Sequence, residues 1–363
     1  MKALAVYPTS NELRLVEHPE PVVTGPGQVK LRILETGICG TDREIASFAY
    51  GEPPQGVPYL VLGHEALGLV VETGNQVTTL APGDLAVLTV RRPCAHQGCA
   101  PCRDNRQDFC ATGDFTERGI KGAHGYMAEY VVDDEHNMVP VPPELRDIAV
   151  LTEPLTVAEK ALEQARLIQG RTPGGNGAAH PRPAVVIGAG PIGLLGAMKL
   201  LESGHETWMY SRCQTNSPNA RILAALGLRF VDADRHSPAE LGEMVGDIGL
   251  VYEAAGVAEL SFAVMRELGI NGVFVFTGIP AIQAPVSVDA QGIMRHMVLK
   301  NQAAVGSVNA GRASYEEALT DLAAFRRRFP EALNGMITER IPLRDARQAL
   351  LARGGIKTVV DMS

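Results

Sequence analysis

The chain has 363 residues, 45% of them apolar and 20% charged, with a formal net charge of −8. That length predicts two domains rather than one growing core, and the acidic balance excludes non-specific binding to nucleic acid or an anionic membrane surface. No apolar run is long enough to span a bilayer, and the first residues, broken at Pro8, do not read as a secretory segment, so a cytoplasmic location is expected.

Over the first 155 residues the apolar runs are short and broken by Gly, Pro and Asp, as at 29–34, 66–71 and 85–88. Runs of that kind predict a β-rich barrel or sandwich. Two Gly-flanked turns interrupt it, Cys39-Gly40-Thr41-Asp42 and Gly63-His64-Glu65. Thiolate, imidazole and carboxylate together suit zinc, and three ligands leave one position open for water or substrate. Taken alone, Cys39 reads equally as a small buried hydrophobe, and His64-Glu65 as a helix start or polar turn.

Four of the six cysteines follow in one loop, as Cys94-x4-Cys99-x2-Cys102-x7-Cys110. In a chain of this length such clustering favours metal over disulfides. Four thiolates close a tetrahedral shell, so this zinc would be structural. An iron–sulfur cluster also uses four cysteines, but the flanks give it no further support. His96, inside the first gap, is the alternative to Cys94 as the first ligand, and Cys94 is favoured.

The texture changes near Glu153. Residues 153–168 carry a helical pattern, and residues 170–183 form a Gly/Pro-rich linker. Strands are then predicted at 184–187, 207–210, 250–253, 273–277 and 303–306, separated by helices such as 191–203 and 220–226. The alternation predicts a doubly wound parallel sheet. An Arg-rich helix around 315–329 and a closing strand at 358–361 are expected to rejoin the first domain. The expected domains are therefore 1–155, with a metal lobe at about 94–110, then 156–308, then a return over 309–363.

The first strand of the second domain runs into Gly188-Ala189-Gly190-Pro191-Ile192-Gly193. Gly-x-Gly-x-x-Gly between a strand and a helix is a dinucleotide loop: Gly188 permits the turn, Gly190 the approach of a pyrophosphate, and Gly193 close helix–strand packing. The second strand ends Tyr210-Ser211-Arg212, without the carboxylate that accepts from NAD ribose hydroxyls. Ser211 can bond a 2′-phosphate and Arg212 can pair with it, which favours NADP, with NAD use also open.

A three-ligand turn pair, a four-cysteine lobe and a dinucleotide segment, in that order over the whole chain, resemble the zinc-dependent medium-chain dehydrogenases. Arg106-Gln107-Asp108-Phe109-Cys110, Thr112 to Ile120, Gly122 to Tyr130, Leu151-Thr152-Glu153-Pro154-Leu155 and Val305-Gly306-Ser307-Val308-Asn309 resemble the glucose 1-dehydrogenase branch. The resemblance implies an α/β protein, a Rossmann sheet joined to a GroES-like catalytic domain. It implies that Cys39 and His64 bind a catalytic zinc, with Glu65 and Glu153 completing or exchanging within its shell. It implies that Thr41 contacts the substrate hydroxyl, and that Glu117, Glu153 and Asn309 bond a sugar. It also places Thr277, Gly278, Ile279, Ser307, Val308 and Asn309 at the nicotinamide end of the cofactor.

The family's lobe usually has two residues between its first cysteines where this chain has four, and the branch often carries Gln where Glu153 stands. The implied activity is oxidation of an aldose at C1 by a homodimer or homotetramer using NADP. Another polyol, alcohol or threonine dehydrogenase of the same fold is the alternative, and a non-catalytic NADP sensor the rival from a different class. Duller readings stand beside these roles: Thr41 as a helix cap, Glu117 as a solvated carboxylate, Asn309 as a turn residue and Glu153-Pro154 as a helix start. His124, His136, His180, His205, His236 and His296 carry no assigned role, and Cys213 reads as structural.

Overall fold

The computed structural model describes residues 1–172, 181–212, 217–280, 284–352 and 354–362. Most of the 170–183 linker, with His180, lies outside them, as does Cys213. Two compact units are present: Met1–Thr156 with Asn309–Ala323 and Ile337–Ser363, and Val157–Val308 with Ala324–Met336. The final segment thus does not return whole to the first unit. Its helix spans Arg312–Arg328, and the next helix, Pro330–Met336, packs in the second unit on the Pro218–Leu226 helix.

In the first unit the central strand is Gln28–Gly37. It pairs antiparallel with Glu65–Thr73, Tyr130–Asp134 and Lys357–Asp361 in a sheet that also holds Leu85–Leu88, Met138–Val141 and Ile337–Pro342. The short alternating runs form these strands because one face of each is buried. Leu31, Ile33, Val70, Leu88, Val131, Met138 and Val360 share one apolar core. A small sheet of Arg91–Arg92, Thr116–Arg118 and Gly122–Ala123 stands apart from it. Asp133 fixes this small sheet to the Tyr130–Asp134 strand: its Oδ2 accepts from Arg92 Nη2 at 2.8 Å and Arg118 Nε at 3.0 Å.

The second unit is a parallel sheet with strands in the order Arg229–Asp232, Thr207–Ser211, Ala184–Ile187, Ile248–Glu253, Leu268–Phe276, Ala303–Gly306. The order doubles outward from the Ala184–Ile187 and Ile248–Glu253 pair, so both faces are covered by helices. Val185, Ile187, Tyr210, Val251, Val264 and Phe274 form the core against one face. The five expected strands are present. Arg229–Asp232 is an additional edge strand whose Arg229 and Phe230 are exposed, which left no apolar run to signal it. No helix among the described residues is long and apolar enough to cross a membrane.

Candidate active site

Strand register brings the three-ligand cluster together. Gly37 pairs with Glu65 on one side and Val359 on the other. Cys39, two residues past Gly37, therefore comes level with Lys357, and His64 leads into the neighbouring strand. One ligand atom from each of Cys39, His64 and Glu65 lies within 4.8 Å of the others. Cys39 stands at the N-terminus of the short Gly40–Ala46 helix, where Asp42 accepts its N–H at 2.9 Å. Asp42 also accepts the Gly63 N–H at 3.2 Å, which ties the two ligand turns to each other.

The electrostatics of the cluster call for a cation. Desolvation opposes charge on the buried His64 ring, yet Asp42 and Cys39 hold its pKa well above the ordinary histidine value. Asp42 Oδ1 stands 3.4 Å from His64 Nδ1, too long for a good hydrogen bond but close enough to orient the ring. Burial works against the Asp42 charge, but His64 and the two backbone N–H groups keep its carboxyl below the usual range. A metal binds the neutral imidazole, so metal and proton compete for His64 in this setting.

Glu65 is fully buried and both of its oxygens accept from Lys357 Nζ at 2.7 Å. Burial disfavours the Lys357 charge, but Glu65 and Cys39 raise its pKa above the ordinary lysine value. The pair fits only because position 37 is glycine: a Cβ there would lie 2.0 Å from Glu65 Oε2. Glu153 opens the Thr152–Gln169 helix and belongs to the same electrostatic group. Desolvation pushes its carboxyl up to about 7, against the pull of His64, with the Glu65 carboxylate adding to the rise. Thr41 sits in the first turn of the Gly40–Ala46 helix and caps nothing, since the capping contact is made by Asp42.

In the four-cysteine lobe the ligand atoms of Cys94, Cys99, Cys102 and Cys110 all lie within 4.8 Å of one another. The two extra residues of the first gap are absorbed by a turn in which Cys99 N–H donates to the His96 carbonyl at 3.0 Å. His96 itself pairs outward with Asp114 at 2.5 Å, so Cys94 is the residue the fold brings to the cluster. The thiols cannot all ionise together. Burial pushes Cys102 up to about 12, whereas Cys110 is brought down to about 6 against desolvation by Thr112 and nearby backbone N–H groups. Thiolates crowded in this way fit a tetrahedral cation.

Glu117 and Asn309, 192 residues apart, meet directly: Asn309 Nδ2 donates to Glu117 Oε1 at 3.1 Å. Glu117 is therefore buried and partnered rather than solvated. Asn309 does also make the turn, since its Oδ1 accepts the Ala310 N–H at 2.9 Å and its φ is 57°.

In the second unit the glycine loop follows its strand directly into the Pro191–Glu202 helix, with Gly190 as N-cap. Gly193 is required by sterics, because a Cβ there would lie 1.8 Å from the Gly188 carbonyl oxygen. Ser211 turns its hydroxyl to the loop, accepting the Ala189 N–H at 3.1 Å, while Arg212 is exposed. The backbone donors of the loop and the helix N-terminus can hold a pyrophosphate. Thr277, Gly278 and Ile279 follow one strand, and Ser307 and Val308 the next, at their carboxyl ends, with Ile279 and Val308 exposed. Asn309, the residue after Val308, is grouped with the first unit.

Four residues escaped the reading of the sequence. Asp42 and Lys357 orient the ligand cluster, and Arg91 bonds Glu117. Glu253 holds the cofactor-side loops: its Oε1 accepts from the Ala255 and Gly256 N–H groups at 2.7 Å and its Oε2 from Gly278 at 3.2 Å. Asp42 had a local signal, three residues after Cys39 at a helix start. The others depend on pairings far apart in the chain. Replacing Lys357 leaves a buried carboxylate without its partner, which costs about 3–5 kcal/mol. Denaturation of metal-free protein should therefore show Lys357→Met destabilised by about that amount, with most of it recovered in Lys357→Met/Glu65→Gln. Equal stability of Lys357→Met and the parent protein would contradict the buried-pair account.

Comparison with known proteins places the chain. Residues 146–362 match the model described as glucose dehydrogenase C-terminus, and residues 25–143 match the alcohol dehydrogenase GroES-like domain. Glucose 1-dehydrogenases from Methanocella arvoryzae and Thermoproteus tenax are 38% and 39% identical, each alignment covering 100% of this chain and 99% of the relative. A Haloferax mediterranei glucose dehydrogenase, solved in complex with NADP, zinc and gluconolactone, superposes with a TM-score of 0.89 at 33% identity. That match covers 100% of this chain and 99% of the other. With its fold and both cysteine-containing clusters in place, the chain belongs to the zinc-dependent medium-chain dehydrogenases, in the glucose 1-dehydrogenase branch.

Proposed function

We propose that the protein oxidises an aldose, D-glucose foremost, at C1 to the lactone, with hydride transfer to NADP and with NAD as a second acceptor. The carrying observation is the three-donor cluster of Cys39, His64 and Glu65 in the unit that also holds the Glu117–Asn309 pair. Relatives named glucose 1-dehydrogenase, and the Haloferax complex with gluconolactone, support the same substrate class.

Cys39, His64 and Glu65 would hold the catalytic zinc, with Glu153 as the carboxylate that exchanges with Glu65. Cys94, Cys99, Cys102 and Cys110 would hold the structural one. Bound at the three-donor cluster, zinc supplies a Lewis acid that lowers the pKa of an alcohol oxygen. Thr41 takes up the proton of the C1 hydroxyl and passes it to solvent. NADP, when bound, would accept the C1 hydride, so that one C–H and one O–H bond of the sugar are exchanged for the lactone carbonyl. Glu117, Glu153 and Asn309 bond the remaining hydroxyls, and a substrate without them leaves buried polar atoms unpaired.

In the second unit the loop at Gly188, Gly190, Pro191, Ile192 and Gly193 would take the pyrophosphate. Ser211 holds that loop, which leaves Arg212 to pair with the 2′-phosphate. Thr277, Gly278, Ile279, Ser307 and Val308 would line the nicotinamide end, where Ile279 and Val308 offer apolar contacts.

The same unit supports assembly with further copies of the chain. Among the described residues Ala303–Gly306 is an edge strand of small and apolar residues, paired on one side only. The preceding helix, Ala290–Leu299, buries none of its residues and exposes Met294, Val298 and Leu299 by about two thirds. An exposed apolar edge of this kind invites pairing with another copy. We read the protein as a cytoplasmic homodimer or homotetramer joined there.

Initial rates with glucose, galactose, xylose, sorbitol, threonine and ethanol, each with NADP and NAD, test the activity. An aldose should be oxidised fastest, and with NADP preferred. Arg212→Ala should raise KM for NADP about tenfold or more and change KM for NAD less than about twofold. No aldose oxidation with either cofactor would sink the proposal, and sorbitol, threonine or ethanol as best substrate would assign the site elsewhere in the family. Sedimentation of the intact protein should show a dimer or tetramer that Val298→Asp weakens. A monomer at micromolar concentration would overturn the assembly.

A further inference from the structure

Strand register places Arg91 directly opposite Glu117 in the small antiparallel sheet of the first unit. Arg91 donates through Nε at 3.1 Å and Nη2 at 3.0 Å, both to the same oxygen, Oε1 of Glu117. The Asn309 amide donates to that oxygen as well, at 3.1 Å. Among the described residues no hydrogen bond falls on Oε2. The third arm of Arg91, Nη1, donates to the Asp108 carbonyl at 3.2 Å, and its guanidinium lies 3.7 Å from the centroid of the Phe115 ring. Gln107 donates in turn to the Arg91 carbonyl at 3.4 Å.

The neighbouring Arg92 projects from the other face of the strand, to Asp133 and the Tyr126 hydroxyl. Its role is accounted for by that packing. Arg91 is held differently. Its side chain is buried and anchored by the segment leading into Cys110, and its charge is spent on one oxygen of a carboxylate. A carboxylate with one oxygen saturated cannot rotate without breaking three bonds, so its other oxygen is presented in a fixed direction.

We propose that Arg91 is a positioning residue of the sugar site: it anchors Glu117 Oε1 so that Oε2 is aimed at one hydroxyl of the aldose. The proposal rests on the reading of Glu117 and Asn309 as sugar contacts. It also gives the four-cysteine lobe a task in substrate choice, since the Asp108 carbonyl that holds Arg91 lies two residues before Cys110. The fork geometry is essential, because lysine supplies the charge but only a point donor.

Steady-state kinetics on the intact protein with glucose and the set of monodeoxyglucoses, at saturating NADP, test it. The parent enzyme should discriminate against one deoxy sugar by about tenfold or more in kcat/KM. Glu117→Ala should abolish that discrimination. Arg91→Met should raise KM for glucose about tenfold, leave kcat and KM for NADP within about twofold, and lose the same discrimination. Arg91→Met/Glu117→Ala should be no worse than Glu117→Ala alone, because the two residues act as a unit. Arg91→Lys, which keeps a buried charge opposite Glu117 and guards against misfolding of the Met variant, should lie between parent and Arg91→Met on both measures.

Arg91→Lys or Arg91→Met with the full parental discrimination overturns the proposal. So does a KM rise that is equal for glucose and every deoxy sugar, which is what loosened packing alone produces. If instead Glu117→Ala keeps the discrimination, or the parent shows none, the reading of Glu117 as a sugar contact fails, and the proposal with it.

Discussion

The buried Glu65–Lys357 ion pair is the constraint around which the first unit is arranged. It joins the start of one strand to the start of the last, across the strand that ends at Gly37. A pair taken out of water recovers its desolvation cost only with good geometry and further bonds. Here both carboxylate oxygens meet the ammonium group, which also donates to the Ile38 carbonyl at 3.2 Å. The glycine at 37 is what lets the carboxylate in, and the same strand end delivers Cys39. The geometry of the ligand cluster is therefore a consequence of strand pairing across Gly37, not of the two ligand turns taken separately.

That arrangement explains why two clusters of similar donors have different chemistry. In the lobe, four thiols on one loop surround a point and leave nothing for substrate. In the larger sheet of the first unit, the donors come from separate strand ends, one carboxylate is restrained by lysine, and a second, Glu153, has its carboxyl pushed up to about 7 by desolvation. A shell built from an imidazole, a thiolate and a choice of carboxylates can change its coordination, which a closed shell cannot. The lobe is still not idle, because its backbone anchors the arginine that holds Glu117.

What was legible in the sequence was whatever is written locally. The glycine loop and the cysteine lobe are each contained in fewer than twenty consecutive residues, and both fold as their spacing implies. His64 and Cys39 were legible as candidate ligands through residue type, while the alternative at His96 needed the structure, which turns that ring to Asp114. Lys357 was not legible, since nothing near it in sequence marks it and its partner lies 292 residues away. Arg91 was hidden for a related reason: nothing local distinguishes it from Arg92, whereas strand alternation sends the two to different buried carboxylates. Ser211 was read as a phosphate ligand; that its hydroxyl also accepts the Ala189 N–H of the glycine loop was not visible, because the contact joins two different strand ends. The edge strand Arg229–Asp232 lacks the apolar alternation by which strands are found.

On this reading the chain holds one closed zinc with four sulfur ligands and one open zinc with a single sulfur. Zinc-edge X-ray absorption on the metal-loaded protein reads this directly. Two zinc ions per chain should share five sulfurs, a mean of about 2.5 per metal at about 2.3 Å, with the remaining ligands nitrogen or oxygen near 2.0–2.1 Å. A mean of four sulfurs from one zinc per chain would contradict the account, because it would leave Cys39, His64 and Glu65 without a metal.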